Sequence, residues 1–173
     1  DVPENDCIPC NDLTVELVSA INPSCFGASD GSLEIAVTSA GGDYTVLWSN
    51  GDNQLALNNL SAGEYQVTVT QDDCVDFLEV VLENPDPLEL TFTDIVPDDC
   101  DEGGTGSVTI DVSGGTPPYQ LFYSGSLIQQ FTFDNVAGGD YTIEAIDANG
   151  CSIENSFFIE TTGCDTLQDT RLT

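Results

Sequence analysis

One strand-and-turn pattern occurs twice in this chain, and that repeat limits what the chain can fold into. The first copy runs from Leu60 through Ser-Ala-Gly-Glu-Tyr-Gln-Val-Thr-Val-Thr to an acidic turn ending at Cys74. After Gly63, the residues Tyr65, Val67 and Val69 alternate with Glu64, Gln66, Thr68 and Thr70. A period of two in β-branched and aromatic residues marks a half-buried strand, because successive strand side chains point to opposite faces. The second copy spans Val136 to Cys151. There Ala-Gly-Gly-Asp precedes Tyr141, Ile143 and Ala145, and the turn Asp147-Ala-Asn-Gly150 leads into Cys151.

The rest of the chain repeats with it. Leu13 corresponds to Leu88, Cys25 to Cys100 and Ser32 to Ser107. Gly41-Gly42 corresponds to Gly114-Gly115, Tyr44 to Tyr119, Trp48 to Tyr123, and Cys74 to Cys151. In the first copy the alternation predicts strands over 13–20, 32–39, 44–48, 54–60 and 75–82, with Ser49-Asn50-Gly51 as a strong turn signal. In the first strand Leu13, Val15 and Leu17 are expected on one face. An internal repeat built only of short, turn-punctuated strands reads as an all-β fold of two tandem immunoglobulin-like Greek-key β-sandwich domains. The expected division is an extended lead-in over 1–12, a first sandwich over 13–84 and a Pro linker over 85–87. A second sandwich follows over 88–162, then a polar tail over 163–173. The linker is stiff because each Pro fixes φ. Trp48 falls on a predicted inner strand, where a core Trp is the expectation in place of a sugar-stacking platform.

Charge narrows the partners. The chain has 173 residues, 31 of them Asp or Glu, against one basic residue, Arg171, for a net charge of -30. Nothing here neutralises phosphates, so nucleic acid is excluded as a partner. An anionic membrane surface is excluded for the same reason. No apolar run approaches spanning length, so membrane insertion is not expected. The chain has no His, which removes His-based triads and His zinc sites. It has no Lys, which removes Schiff-base chemistry and Lys–Asn isopeptide crosslinks. With no Met, the expectation is a mature chain cut from a precursor or a piece of a longer one. No acid pair stands out as a glycosidase pair, and no enzyme is expected.

Seven cysteines in a chain without His point to an oxidising compartment. Cys7 and Cys10 form a Cys-x-x-Cys, but no helix is predicted there to make it a redox motif. They either close a local disulfide or pair with distant cysteines. If successive strands simply reverse, Cys25 and Cys74 lie at one end of the first sandwich, and Cys100 and Cys151 at one end of the second. The expected bridges are therefore Cys25–Cys74 and Cys100–Cys151. Each closes a loop of about 50 residues and stabilises its unit by about 4 kcal/mol in the chain-entropy model. Other pairings within the same fold stay open. Cys7, Cys10 and Cys164 remain, just outside the two-domain body. Either Cys164 of one chain bonds Cys7 or Cys10 of the next, or Cys7–Cys10 is a local bridge.

Carboxylates gather at turns. Ca²⁺ takes six to eight oxygens from carboxylates and carbonyls. The segment with Asp98, Asp99, Asp101 and Glu102 is the best calcium candidate, with Asp30 second. The spacing is not that of an EF-hand, and a solvated acidic surface is the plainer reading.

Three stretches of the first copy carry a family resemblance: Asn22-Pro-Ser-Cys-Phe-Gly-Ala-Ser-Asp-Gly-Ser32, Leu47-Trp-Ser-Asn-Gly51 and the stretch from Leu60 to Val69. In the second copy Gly114-Gly-Thr-Pro-Pro-Tyr119 and Asp147-Ala-Asn-Gly-Cys151 match. Together they resemble the SprB-type repeat of large cell-surface proteins of Bacteroidetes, including gliding-motility adhesins exported by the type IX secretion system. The second copy departs at Asp98-Asp-Cys-Asp-Glu-Gly-Gly104. The resemblance implies an extracellular structural or adhesive module and no reaction. A subunit of an extracellular filament, partnered by neighbouring copies of itself, is the alternative. A calcium-dependent module that binds surface glycans is the third reading.

Overall fold

The computed structural model describes residues 13–39, 41–101 and 103–163. Expectations for Cys7, Cys10, Glu102 and Cys164 therefore lie outside the described residues. The chain divides into two compact units between Pro85 and Asp86. Among the described residues every regular element is a β-strand.

The first unit holds β1 (Thr14–Ile21), β2 (Gly31–Thr38), β3 (Thr45–Trp48), β4 (Ala56–Leu60), β5 (Gly63–Gln71) and β6 (Cys74–Leu82). One sheet has the order β1-β2-β4 and the other β3-β5-β6. The chain alternates between sheets from β2 to β5, which is the Greek-key connection of an immunoglobulin-like sandwich. The alternation that marked β5 does what it implies. Val67 and Val69 are fully buried, while Glu64 and Gln66 on the opposite face are exposed. Leu33, Ile35, Leu57 and Leu60 close the core from the facing sheet, and Trp48 sits in it at 1 % exposure. Burying a side chain of this size contributes about 1.5–3 kcal/mol. Trp48 Nε1 donates to the Gln54 carbonyl at 2.8 Å, so its one polar atom is satisfied.

The second unit holds β7 (Glu89–Val96), β8 (Asp98–Asp99), β9 (Gly106–Ser113), β10 (Gln120–Tyr123), β11 (Ser126–Ile128), β12 (Thr132–Val136), β13 (Gly139–Ile146), β14 (Ser152–Ile159) and β15 (Thr161–Thr162). Its sheets are β12-β9-β7 and β11-β10-β13-β14, with a short parallel pair β15-β8. Leu90, Ile110, Leu121, Ile143 and Ala145 form its core. Each unit also repeats one corner bond. Tyr65 Oη donates to the Ser61 carbonyl and Tyr141 Oη to the Ala137 carbonyl, at 2.9 and 2.8 Å. This is the tyrosine corner that fastens the start of the equivalent strand in immunoglobulin-like sandwiches.

Two strand expectations change. Leu17 was expected to face inward with Leu13 and Val15, yet it is 44 % exposed. The β1–β2 register shifts between Leu17 and Ser19, and a bulge of this kind re-aims the side chains around it. The predicted strand over 54–60 begins only at Ala56. Before it, the chain doubles back after β3: Trp48 N donates to the Asp52 carbonyl at 2.8 Å, and Ile35 N then donates to the Leu55 carbonyl at 2.9 Å. That return adds one more reversal than the sequence signals suggest. In the second unit the same return is a paired strand, β11.

Candidate functional site

The loop between the first two strands of each unit carries most of the residues singled out by sequence, and its job is to close one end of a sandwich. In the first unit Asn22 Oδ1 accepts from Glu83 N at 3.0 Å, and Gly27 N donates to Asn84 Oδ1 at 3.0 Å. Ser24 donates to Asp30 twice, from N at 2.9 Å and from Oγ at 2.5 Å. Those bonds, the hydroxyl first, hold the Asp30 carboxyl below the usual carboxylate range. Gly31 follows because nothing larger fits: a Cβ there would lie 2.9 Å from the Leu60 carbonyl oxygen.

The second unit makes the same closure with the chemistry reversed. Asp98 lies on the strand side of the loop and is buried. Its Oδ1 accepts from Thr105 N at 2.8 Å, and its Oδ2 accepts from Gly138 N at 2.9 Å. These two backbone donors, Thr105 first, lower its pKa. Asp99 N donates to Thr105 Oγ1 at 2.6 Å, and Asp99 Oδ1 accepts from Asp101 N at 3.0 Å. A Cβ on Gly106 would lie 2.6 Å from the Val136 carbonyl oxygen. The calcium candidates thus separate. Asp30 belongs to the first unit, Asp98, Asp99 and Asp101 belong to the second, and the carboxylates of Asp30, Asp98 and Asp99 accept loop hydrogen bonds. Among the described residues, no three His, Cys, Asp or Glu side chains gather as a metal-binding group.

Cys25, Cys74, Cys100 and Cys151 are each disulfide-bonded. The expected pairings within each unit do not survive the topology. Cys25 lies in the loop anchored to Glu83 and Asn84, at the end where β6 finishes. Cys74 opens β6, opposite Gln71. The eight residue steps from Cys74 to Leu82 cover about 27 Å, against about 4.4–6.8 Å between the Cα atoms of a disulfide. In the second unit Cys100 N donates to the Thr162 carbonyl at 2.9 Å, beyond the Ile159 end of β14, while Cys151 precedes the Ser152 end. Cys25–Cys74 and Cys100–Cys151 are therefore not bridges. The reason is parity. Five passes of chain, not four, separate the two cysteines of each unit, because the return after β3 or β10 adds a reversal.

One buried polar side chain at the other end of each sandwich went unseen in the sequence. Asp147 is 5 % exposed. It accepts from Thr116 N at 2.8 Å, Asn149 N at 2.9 Å and Cys151 N at 2.8 Å. Burial pushes its pKa up, but the backbone donors, Thr116 foremost, outweigh that and leave it lowered. Gln71 holds the equivalent place and donates from Nε2 to the Gly41 carbonyl at 2.7 Å. The signal was available: each is a polar residue at an inward position of an otherwise apolar alternation.

The outer faces differ. Rows Leu47–Thr68–Phe77 and Thr45–Thr70–Val75 cross the β3-β5-β6 sheet, and Leu47, Phe77, Val75 and Val81 are exposed. β6 is apolar on both faces, which its sequence shows as a run without clean alternation. On the matching face of the second unit Phe122, Glu144 and Glu154 align, with Asp140 beside Phe158. Between the second unit's sheets lies an apolar cleft of about 120 Å³, lined in part by Ile110, Tyr123, Phe133, Tyr141 and Phe157.

The loop bonds, the close-packed glycine and the buried indole account for Asn22, Ser24, Gly27, Asp30, Gly31 and Trp48 among the motif residues. The family model of the SprB repeat matches residues 18–53 and 92–120. One such segment lies in each unit. Compared with curated proteins, the chain matches none by sequence. Among solved structures, an I-band fragment of titin is similar at 14% identity and a TM-score of 0.43, covering 85% of this chain and 65% of that one. Immunoglobulin domains 1–5 of Sidekick-1 are similar at 14% identity and a TM-score of 0.41, covering 87% and 39%. A two-domain DIP-gamma structure is similar at 11% identity and a TM-score of 0.39, covering 87% and 98%. The chain spans less than two thirds of the titin and Sidekick-1 chains it matches. Among the described residues no helix is long and apolar enough to cross a membrane.

Proposed function

We propose that this chain is a non-enzymatic structural and adhesive module of a bacterial surface protein, working outside the cell beside neighbouring repeats of the same protein. The observation that carries the reading is the SprB-repeat match in each of two sandwich units. The physical chemistry agrees with it. The acidic side chains that stand out are spent on holding loops, and the described cysteines, Cys25, Cys74, Cys100 and Cys151, are oxidised. Disulfides of this kind persist in oxidising compartments. A net charge of -30 keeps such a module soluble and apart from nucleic acid. The exposed apolar row on the first unit and the acidic face of the second give the module two chemically distinct surfaces. Antibody raised against the purified chain should label intact producing cells, and brief protease treatment of those cells should remove the label. Labelling that requires permeabilised cells would overturn the reading.

A further inference from the structure

We infer that the cleft between the second unit's sheets is a ligand site for a small neutral aromatic molecule, a single phenyl or indole group in size. The cleft has a volume of about 120 Å³. Val108, Ile110 and Ile143, all buried, make its floor. Tyr123, Phe133, Tyr141 and Phe157, all partly exposed, make its rim.

The first unit shows what fills this space when it is closed. Strand register makes the two units comparable position by position. Val108 opposite Phe133 matches Leu33 opposite Leu57. Tyr123 opposite Ile143 matches Trp48 opposite Val67, and Tyr141 opposite Phe157 matches Tyr65 opposite Val80. In the first unit Leu33, Leu57, Trp48 and Val80 are all buried. In the second, Leu33 becomes Val108 and Trp48 becomes Tyr123, both smaller. Phe133 and Phe157 are larger than the Leu57 and Val80 they replace, but they are half-buried and line the space instead of filling it. An indole closes the first core, and the second core lacks one.

Chemistry selects the guest. Tyr141 Oη is committed to the Ala137 carbonyl, which holds its ring in place. That ring stacks on Phe157 at 5.3 Å and meets Tyr123 at 5.8 Å. These rings, with Phe133 on the facing sheet, favour an aromatic guest in offset or edge-on contact. Sugar hydroxyls would lose their hydrogen bonds against such walls. An anion meets a net charge of -30 and a lining that is aliphatic or aromatic throughout. An engineered apolar cavity of about 150 Å³ stays dry and binds benzene. The present cleft opens beside Tyr123, which is 41 % exposed, so a second ring or a substituent fits in the mouth. The site stands whether or not the module serves in adhesion.

The full oxidised chain, labelled with carbon-13 at Ile, Leu and Val methyls, is titrated with indole up to its solubility and followed by NMR. Saturable shifts of the Val108, Ile110 and Ile143 methyls are expected, with those of Leu33, Ile35 and Val67 unmoved. Indole-3-acetate, which carries a carboxylate, should bind at least about tenfold more weakly. Tyr123→Trp with Val108→Leu writes the first unit's residues into the cleft. It should also weaken indole at least about tenfold, in protein whose circular dichroism matches the parent's. Absent or unsaturable shifts in the parent overturn the site. Equal shifts in both units, or undiminished binding to the folded double variant, do the same. If the same methyls shift on dilution without indole, the occupant is a second copy of this chain and the small-molecule site is overturned. Should the double variant fail to fold, the parent titration and the indole-3-acetate comparison decide.

Discussion

At the centre of the first unit an indole is sealed between two sheets; at the same place in the second unit a tyrosine ring stands at the edge of a cleft. Trp48 pairs across from Val67 and is 1 % exposed, while Tyr123 pairs across from Ile143 and is 41 % exposed. Tyr123 leans on Tyr141, with ring centroids 5.8 Å apart, and Tyr141 stacks on Phe157 at 5.3 Å. The second unit thus spreads over a row of aromatic rings the packing that the first concentrates in one. The same exchange appears in the loops, where Ser24 and Asp30 become Asp98 and Thr105. The repeat keeps a contact, an acid against donors across the loop, and not the side in the chain that supplies the acid.

The sharpest way to break this comparison is to empty the two equivalent positions. Trp48→Ala removes a fully buried large side chain and should cost about 3–5 kcal/mol. Tyr123→Ala empties a position that is already partly open and should cost about 1 kcal/mol. Urea unfolding of the full chain, followed by circular dichroism, measures both. Equal losses would show that Tyr123 closes its core as Trp48 does.

The next contrast is Asp147 against Gln71. Asp147→Ala removes the shared acceptor of the part-buried bonds from Thr116 N, Asn149 N and Cys151 N and should cost about 2–3 kcal/mol. Gln71→Ala loses one bond to the Gly41 carbonyl and should cost about 1 kcal/mol. The acid adds a pH signature. Its folded pKa lies below the ordinary value of 3.8, so its contribution is complete above that value and is lost as pH falls through the folded pKa. The stability gap between the parent and Asp147→Asn should therefore be constant near neutrality and narrow below pH 3.8. A gap that holds its size into stronger acid would mean that the carboxylate charge contributes nothing.

How much of this was readable from the residues follows from which signals are local. The buried face of β5 was legible because Tyr65, Val67 and Val69 alternate without interruption, and Trp48 was legible as core from its place on an inner strand. The loops were legible as motifs, but the bond between Ser24 and Asp30 was not. The disulfide pairing failed for a countable reason. Residues 52–55 and β11, with Ser126, Leu127 and Ile128, are too short to show a period, so one reversal per unit went uncounted. A single missed pass moves a cysteine from one end of a sandwich to the other. Pairings that depend on strand parity need every short strand, whereas burial needs only the long ones.

The smallest contrast tests the loop exchange itself. Thr105→Val keeps the side-chain shape but removes the hydroxyl that accepts from Asp99 N at 2.6 Å and also reaches Asp98 Oδ1. The Thr105 backbone bond to Asp98 remains. The loss should be about 1 kcal/mol, the net value of one ordinary hydrogen bond. Ser24→Ala should cost a similar amount, since its backbone N still donates to Asp30. The informative variant is the transplant: Ser24→Asp with Asp30→Thr writes the second unit's chemistry into the first. Pro23 stands where Asp98 stands in the second unit, so the new acid falls on the Asp99 position, one residue from the hub. It has no counterpart of the Gly138 N–H that Asp98 receives. The transplant should therefore be less stable than either single loss predicts. If it matches the parent, the closure needs only an acid and a hydroxyl on opposite sides of the loop, at any adjacent register.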